Sequence, residues 1–219
     1  GLGNLHIRLA FNNASLLYSA LVNTGQWAER GNHIGNGMLL MVLMIQSLVG
    51  LGRCLRADGA PRATDQFLAF LLPVSVMLAL SKEMSSAKTD LPLAAVTFVG
   101  MWRLIALANA SSAANGIDRT LDFLTVTTLA SAGVCLKLSG TVHGLACWVV
   151  ALAIYLGIRP QPTRMARPIV AAVILSTLLV GPWMVRGTLL TGQPLFPTQI
   201  ARYDVPWRVP NELVETELE

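Results

Sequence analysis

The residues best placed to do chemistry are two cations that follow long apolar runs, Lys137 and Arg186. Lys137 closes one run and is followed by Ser139, Gly140 and Thr141. Because the free amides at a helix N-terminus bind anions, this connection could form a phosphate site together with Lys137. A structural reading is equally open: a lysine at a helix end favours the macrodipole, and Ser139 or Thr141 can cap the next helix.

Arg186 follows the last apolar run, just after Pro182 and Trp183. Pro182 is expected to bend or unwind the helix near its end, and Trp183 to anchor it at the membrane interface. Arg186 then lies at the depth of the headgroup phosphates. Two readings stay open, namely snorkelling to ordinary lipid and bidentate capture of a lipid-linked phosphate.

Three further polar residues are candidate substrate ligands: Asp90, His6 and Asn12. Asp90 stands before Leu91-Pro92, so it either caps a helix or orients a sugar hydroxyl or a metal. His6 and Asn12 lie in a segment that could equally be a simple membrane anchor. Since Asp90 has no acidic partner close in sequence, no metal site is predicted, and a divalent metal in the full-length protein is left open.

The elements that must position these residues are apolar helices. Hydrophobic residues make up 53% of the 219 residues, charged residues 13%, and the mean hydropathy is +0.57. A bilayer crossing takes about 20 helical residues. Runs close to that length cover 34–52, 66–81, 91–108, 121–136, 141–158 and 168–185. The sequence therefore predicts an all-α fold, a polytopic transmembrane bundle of about six spans. A soluble bundle is disfavoured because the runs lack charged faces.

The predicted organisation has three parts. Residues 1–33 form an outer-face amphipathic juxtamembrane helix lying in the interface, 34–186 the six-span bundle, and 187–219 an outer-face C-terminal segment cut short. Arginines cluster in the connections after the first and fifth runs, at Arg53, Arg56, Arg62, Arg159, Arg164 and Arg167. The positive-inside rule makes that side cytoplasmic, so both ends of the chain face outward.

The net charge, the cysteines and the absence of common catalytic motifs exclude several classes of function. The net charge of +4 is spread over connections between apolar runs, which argues against nucleic acid as a partner and for membrane lipid. Cys54, Cys135 and Cys147 have no metal-binding spacing and are predicted to fill the core. Walker, GxGxxG, HExxH and GxSxG motifs do not occur in the sequence.

An ordered set of short motifs carries a resemblance. GLGNLHIRLAFNNAS at the start, TDLP at 89–92, KLSG at 137–140 and RGTLLTGQPLFP at 186–197 together resemble large polytopic bacterial membrane proteins related to GT-C glycosyltransferases. The resemblance covers most of the chain. It implies a GT-C-like fold in the bacterial cytoplasmic membrane, with an outward-facing site that takes a sugar from a polyprenyl-phosphate donor.

The chain departs from that pattern at the expected catalytic acid. GT-C enzymes place it in the first outer loop, yet the sequence holds no Asp or Glu before Glu29. The general base is therefore expected upstream of this chain, which is interpreted as a fragment that is inactive alone. In the intact protein, Lys137 and Arg186 would stabilise the departing lipid phosphate.

Two other classes of function stay open from sequence. A non-catalytic membrane scaffold subunit needs only the helices. A transporter of lipid-linked saccharide calls for charges near the bilayer midplane, and only Arg103 is predicted to be embedded, which makes transport the weaker reading. The oligomeric state and the donor sugar are left open.

Overall fold

The computed structural model describes residues 31–56, 59–80, 90–109, 116–137, 139–158, 162–195, 201 and 203–206. The helices within these ranges are α1 (Gly31–Arg56), α2 (Ala63–Leu80), α3 (Asp90–Asn109), α4 (Gly116–Leu136), α5 (Gly140–Ile158) and α6 (Pro162–Thr191). The described part of the chain contains no strand, so the predicted all-α class is confirmed.

Five of these helices are long and apolar enough to cross a membrane. The spans are Asn36–Arg56, Ala63–Leu80, Leu91–Asn109, Gly140–Gly157 and Ala166–Thr191. Each corresponds to a predicted run, and large apolar side chains such as Met77, Val142 and Leu178 are exposed on them. Apolar faces of this kind suit lipid as the surrounding medium. The protein is therefore a multi-pass membrane protein, as predicted.

The remaining predicted run, 121–136, differs from the other five. It lies in α4, which is helical but is not among the helices apolar enough to span by composition. Asp118, Arg119 and Asp122 lie in its first two turns. These charged residues are tolerated because of the position of α4. It packs against α3, α5 and α6 at once, so its neighbours replace lipid along much of its surface. Polar residues within a membrane protein face such a bundle interior.

A hydrophobic core surrounds the first half of α4. Phe123 and Val126 are fully buried there, and Phe123 stacks on Tyr155 of α5 with ring centroids 4.5 Å apart. Leu107 of α3 and Ala172 of α6 belong to the same cluster and are also fully buried. Four helices thus meet in one core, with α4 at its centre.

The second half of α4 is packed by backbone contact with α5. A Cβ atom added at Gly140 would lie 2.6 Å from the carbonyl oxygen of Gly133, and one added at Gly144 would lie 2.7 Å from that of Ala130. Gly140 and Gly144 are four residues apart and so share one face of α5. This is the spacing that lets membrane helices approach closely and gain dispersion energy.

These contacts give the bundle two ends. At one, Leu93 of α3 lies close to Gly140 and Gly133, and Cys135 Sγ donates to the carbonyl of Leu179 in α6 at 3.4 Å. We call it the Lys137 end. At the other, Arg103 of α3 reaches Asp122 of α4. We call that the Arg103 end. Helices α3 and α5 therefore run antiparallel to α4, and α6 runs parallel to it.

Helix α6 departs from the prediction in two ways. It continues unbroken through Pro182 to Thr191, so the predicted unwinding does not occur, and the boundary at 186/187 falls inside a helix. Trp183 is only 6% exposed, so it packs inward instead of anchoring at the headgroups. With 30 residues, α6 is about 45 Å long against an apolar layer of about 30 Å.

The N-terminal prediction lies almost wholly outside the described residues. The interfacial helix was placed at 1–33, and the described part of the chain begins at Gly31, which is the first residue of α1. The boundary at 33/34 therefore falls inside α1.

Replacing Gly144 by alanine should destabilise the bundle, because the new methyl group meets a main-chain oxygen that cannot move alone. Overpacking of this kind costs about 1–3 kcal/mol. Gly157→Ala is the matched control, since the same helix offers open space there. Thermal unfolding in detergent should show a lower midpoint for Gly144→Ala only. Equal midpoints for both variants would contradict the proposed contact.

Candidate functional site

The Lys137 end gathers several of the predicted site residues. Lys137 and Ser139 form the connection between α4 and α5, and both are exposed. The amide of Lys137 donates to the carbonyl of Gly133 at 3.2 Å, and the amide of Gly140 donates to the carbonyl of Lys137 at 2.8 Å. A tight turn thus fixes where the Lys137 side chain leaves the backbone, one residue after α4 ends.

The two predicted caps of α5 behave differently. Ser139 occupies the N-cap position, directly before the first residue of the helix. Thr141 does not act as a cap, because its hydroxyl oxygen is buried and has no hydrogen-bond partner in the structure. The correction follows from its place inside the first turn, where a side chain cannot reach the free amides as an N-cap does.

Arg186 lies at the same end of the bundle but further along its axis. The contact between Cys135 and Leu179 matches the last turn of α4 with the middle of α6. Arg186 follows Leu179 by seven residues, about 10 Å of helix, whereas Lys137 follows Cys135 by two. Counting helices predicted the shared end correctly, but the two cations are offset by several ångströms in depth.

The motif that follows Arg186 forms the C-terminal cap of α6. Gly192 has a φ of 73°, the left-handed conformation typical of the residue after a helix, and its amide donates to the carbonyl of Thr188 at 2.9 Å. The Thr191 hydroxyl donates to the carbonyl of Gly187 and accepts from the amide of Gln193 at 3.1 Å. The spacing of glycines and threonines in this motif thus has a structural cause.

The chain that follows α6 folds back against the helix at Gly187. A Cβ atom at Gly187 would lie 2.9 Å from the carbonyl oxygen of Gln193, so the chain folds back against α6 only because Gly187 has no side chain. Gln193 is fully buried, and both polar atoms of its amide lack a hydrogen-bond partner. Sequence reasoning missed Gln193, whose burial depends on this fold-back.

Asp90, His6 and Asn12 add little to the geometry. Asp90 is the first residue of α3, which agrees with a role at the start of the helix, and the contact of Leu93 puts it at the Lys137 end. Its side chain lies outside the description. His6 and Asn12 also lie outside the described residues.

A second polar set lies between the helices and was not predicted. The hydroxyls of Ser131 on α4 and Ser176 on α6 are hydrogen-bonded at 2.8 Å, and Trp148 Nε1 of α5 donates to the same Ser176 oxygen at 3.3 Å. Three helices are joined through one hydroxyl. The partners are 28 and 45 residues from Ser176, so no local pattern pointed to them.

The Arg103 end corrects the prediction that only Arg103 is embedded. Arg103 forms an ion pair with Asp122 at 3.1 Å and lies over the Trp102 ring at 4.8 Å. Arg119 is 4% exposed. The Thr120 and Tyr155 hydroxyls are 3.2 Å apart. Since paired charges inside a bundle are satisfied within it, this cluster links α3, α4 and α5.

A surface groove of about 600 Å³ lies along α1, away from the predicted site residues. Ile45, Leu48 and Val49 line it, and Arg53 and Arg56 lie at one end. Arg53 also pairs with Asp65 of α2 at 3.3 Å. An apolar face that ends in arginines is typical of a helix in contact with lipid.

The fold and its buried polar groups define a polytopic helical membrane protein. The family described as "Domain of unknown function (DUF8201)" matches residues 1–219, and the chain belongs to this family. No curated protein and no solved structure gives a match. The likeness to GT-C glycosyltransferases stays a prediction.

Replacing Asp122 by alanine should destabilise the protein by about 1 kcal/mol, because Arg103, whose side chain is 42% exposed, loses its charged partner. Asp118→Ala is the matched control, since Asp118 is exposed one turn earlier on the same helix. The double variant Arg103→Ala/Asp122→Ala should be less destabilised than the sum of the single variants. Additive losses in the unfolding free energy would show that the pair is not coupled.

Proposed function

We propose that this chain is the membrane part of a GT-C-like glycosyltransferase that binds a polyprenyl-phosphate-linked sugar at the outer face of the bacterial cytoplasmic membrane. The observation that carries the proposal is the contact of Cys135 with the Leu179 carbonyl, which puts the α4–α5 turn and the C-terminal part of α6 at the same end of the bundle. These elements bring Lys137 and Arg186, which are 49 positions apart in the sequence, to one end of the bundle.

The two cations suit a phosphate that departs with negative charge. In the intact protein an acceptor hydroxyl attacks the anomeric carbon, the bond from that carbon to the phosphate oxygen breaks, and the phosphate keeps the electron pair. Lys137 and Arg186 stabilise that charge as it grows, and a general base removes the hydroxyl proton. Both side chains are long and flexible, so the offset in depth is compatible with binding one headgroup.

Ser139 can support binding of the same headgroup. It is exposed beside Lys137, where its hydroxyl can bond to a sugar or phosphate oxygen. Gln193 is fully buried at the end of α6, so its amide does not reach a headgroup bound at the surface.

The orientation can be measured with a membrane-impermeant maleimide on intact cells. Ser139→Cys and Tyr203→Cys should be labelled from outside, and Gly59→Cys only after permeabilisation, all in a Cys54→Ser background. All three positions are exposed, and Tyr203 is held near the end of α6 by its amide bond to Gly192. Labelling of Ser139→Cys and Tyr203→Cys from opposite sides would remove the shared site.

Lipid binding can be measured by native mass spectrometry of the full-length protein. Polyprenyl phosphate should co-purify with the parent and fall about tenfold or more in Lys137→Ala and Arg186→Ala, because each loses a charge-assisted hydrogen bond. Arg167→Ala, an exposed arginine at the opposite end of α6, should retain the lipid. Lipid absent from the parent, or retained in both test variants, would favour a membrane scaffold.

A further inference from the structure

Three side chains with soft or nitrogen donor atoms meet between α3 and α5. His143 Nε2 lies 3.3 Å from Cys147 Sγ, one helical turn further along α5. Cys147 Sγ in turn lies 3.9 Å from Met101 Sδ of α3. Cys147 is 5% exposed, so its sulfur contacts the other two donor atoms in a nearly dry environment.

Both separations are compatible with ligands that share one ion. With metal–sulfur bonds of about 2.3 Å and metal–nitrogen bonds of about 2.0 Å, they correspond to angles of roughly 100° to 115° at the ion. The angles suit a trigonal or tetrahedral site.

A small internal cavity adjoins two of the three donors. Its volume is about 10 Å³, and His143 and Cys147 form part of its wall. The remaining wall comes from residues on α3 and α4, including the small residues Gly100, Ala130 and Gly133. Space on this scale admits a single ion or water and excludes an organic ligand.

We propose that His143, Cys147 and Met101 form a binding site for a soft monovalent metal ion, Cu(I), inside the membrane bundle. Thiolate and thioether sulfur select Cu(I), and imidazole also suits copper. Zn(II) fits less well, because it takes four ligands and a thioether is not one of its usual donors. Among the described residues, no group of three histidine, cysteine or carboxylate side chains is arranged for a metal, so the methionine is essential to the set.

Binding needs no oxidant or reductant. The Cys147 thiol gives up its proton to solvent, the thiolate sulfur forms a bond to Cu(I), and the copper keeps its oxidation state. His143 binds through the lone pair of Nε2, with the proton on Nδ1. Because His143 is in the first turn of α5 and is partly exposed, the ion can reach the site from the Lys137 end. The site does not depend on the proposed glycosyltransferase function.

The experiment is an anaerobic Cu(I) titration of the full-length protein in detergent against a chromogenic Cu(I) chelator. The parent should bind one ion per chain, and Cys147→Ser, His143→Ala and Met101→Leu should each weaken binding at least tenfold. Cys54→Ser and Cys135→Ser are the matched controls, and both should bind as the parent does. Cys135 is the closer match, since it is buried like Cys147 but bonds to a main-chain carbonyl.

Two further measurements separate ligation from folding. Met101→Leu nearly conserves side-chain volume, so its unfolding midpoint should stay close to that of the parent while its copper affinity falls. X-ray absorption at the copper edge should show two sulfur ligands and one nitrogen ligand. No binding by the parent, binding unchanged in Cys147→Ser or Met101→Leu, loss of binding in Cys54→Ser, or tighter binding of Zn(II) than of Cu(I) would each overturn the proposal.

Discussion

The close approach of α4 and α5 is the contact on which the rest of the bundle depends. In lipid, apolar side chains gain nothing by leaving their surroundings, so helices associate through dispersion and hydrogen bonds instead. Gly140 and Gly144 remove the side chains that would hold the two backbones apart. The same contact lets α4 turn directly into α5 through residues 137–139, which sets the position of Lys137. It also brings the first turns of α5, with His143 and Cys147, against the small residues of α3 and α4.

The polarity of α4 is explained by its central position. Thr127 and Ser131 are buried, and their hydroxyls donate to the carbonyls four residues earlier in the same helix, those of Phe123 and Thr127. Ser131 also reaches Ser176, and Asp122 reaches Arg103. These polar groups therefore have partners within the protein, which lipid could not provide. Helices α3, α5 and α6 pack around α4 and expose apolar side chains of their own, so the helix that is not apolar enough to span by composition has protein neighbours in place of lipid.

Five of the spans could be predicted because their signal is local: about 20 apolar residues in a row suffice. The role of α4 could not, since it depends on which helices cover it. Trp183 was expected at the interface because tryptophan is common there, yet packing turns it inward. The shared end of Lys137 and Arg186 followed from counting helices. Their difference in depth did not, because it depends on α6 running on to Thr191. Gln193 and Met101 were missed for the same reason, as each gains its meaning from a neighbour distant in sequence.

At the Lys137 end, α5 and α6 are attached to α4 by separate contacts. On one side, the glycine contacts tie α5 to α4, so any movement of α5 must carry both the Lys137 turn and His143 with it. On the other, the bonds from Ser131 to Ser176 and from Cys135 to the Leu179 carbonyl tie α6 to α4, and α6 carries Arg186. Lys137 and Arg186 therefore keep their relative positions only while both attachments hold. A headgroup that binds both cations would join α5 to α6 at their outer turns and close a ring of contacts around the end of α4. Binding at this end and stability of the bundle should thus be coupled, because a ligand that binds only the folded state stabilises it.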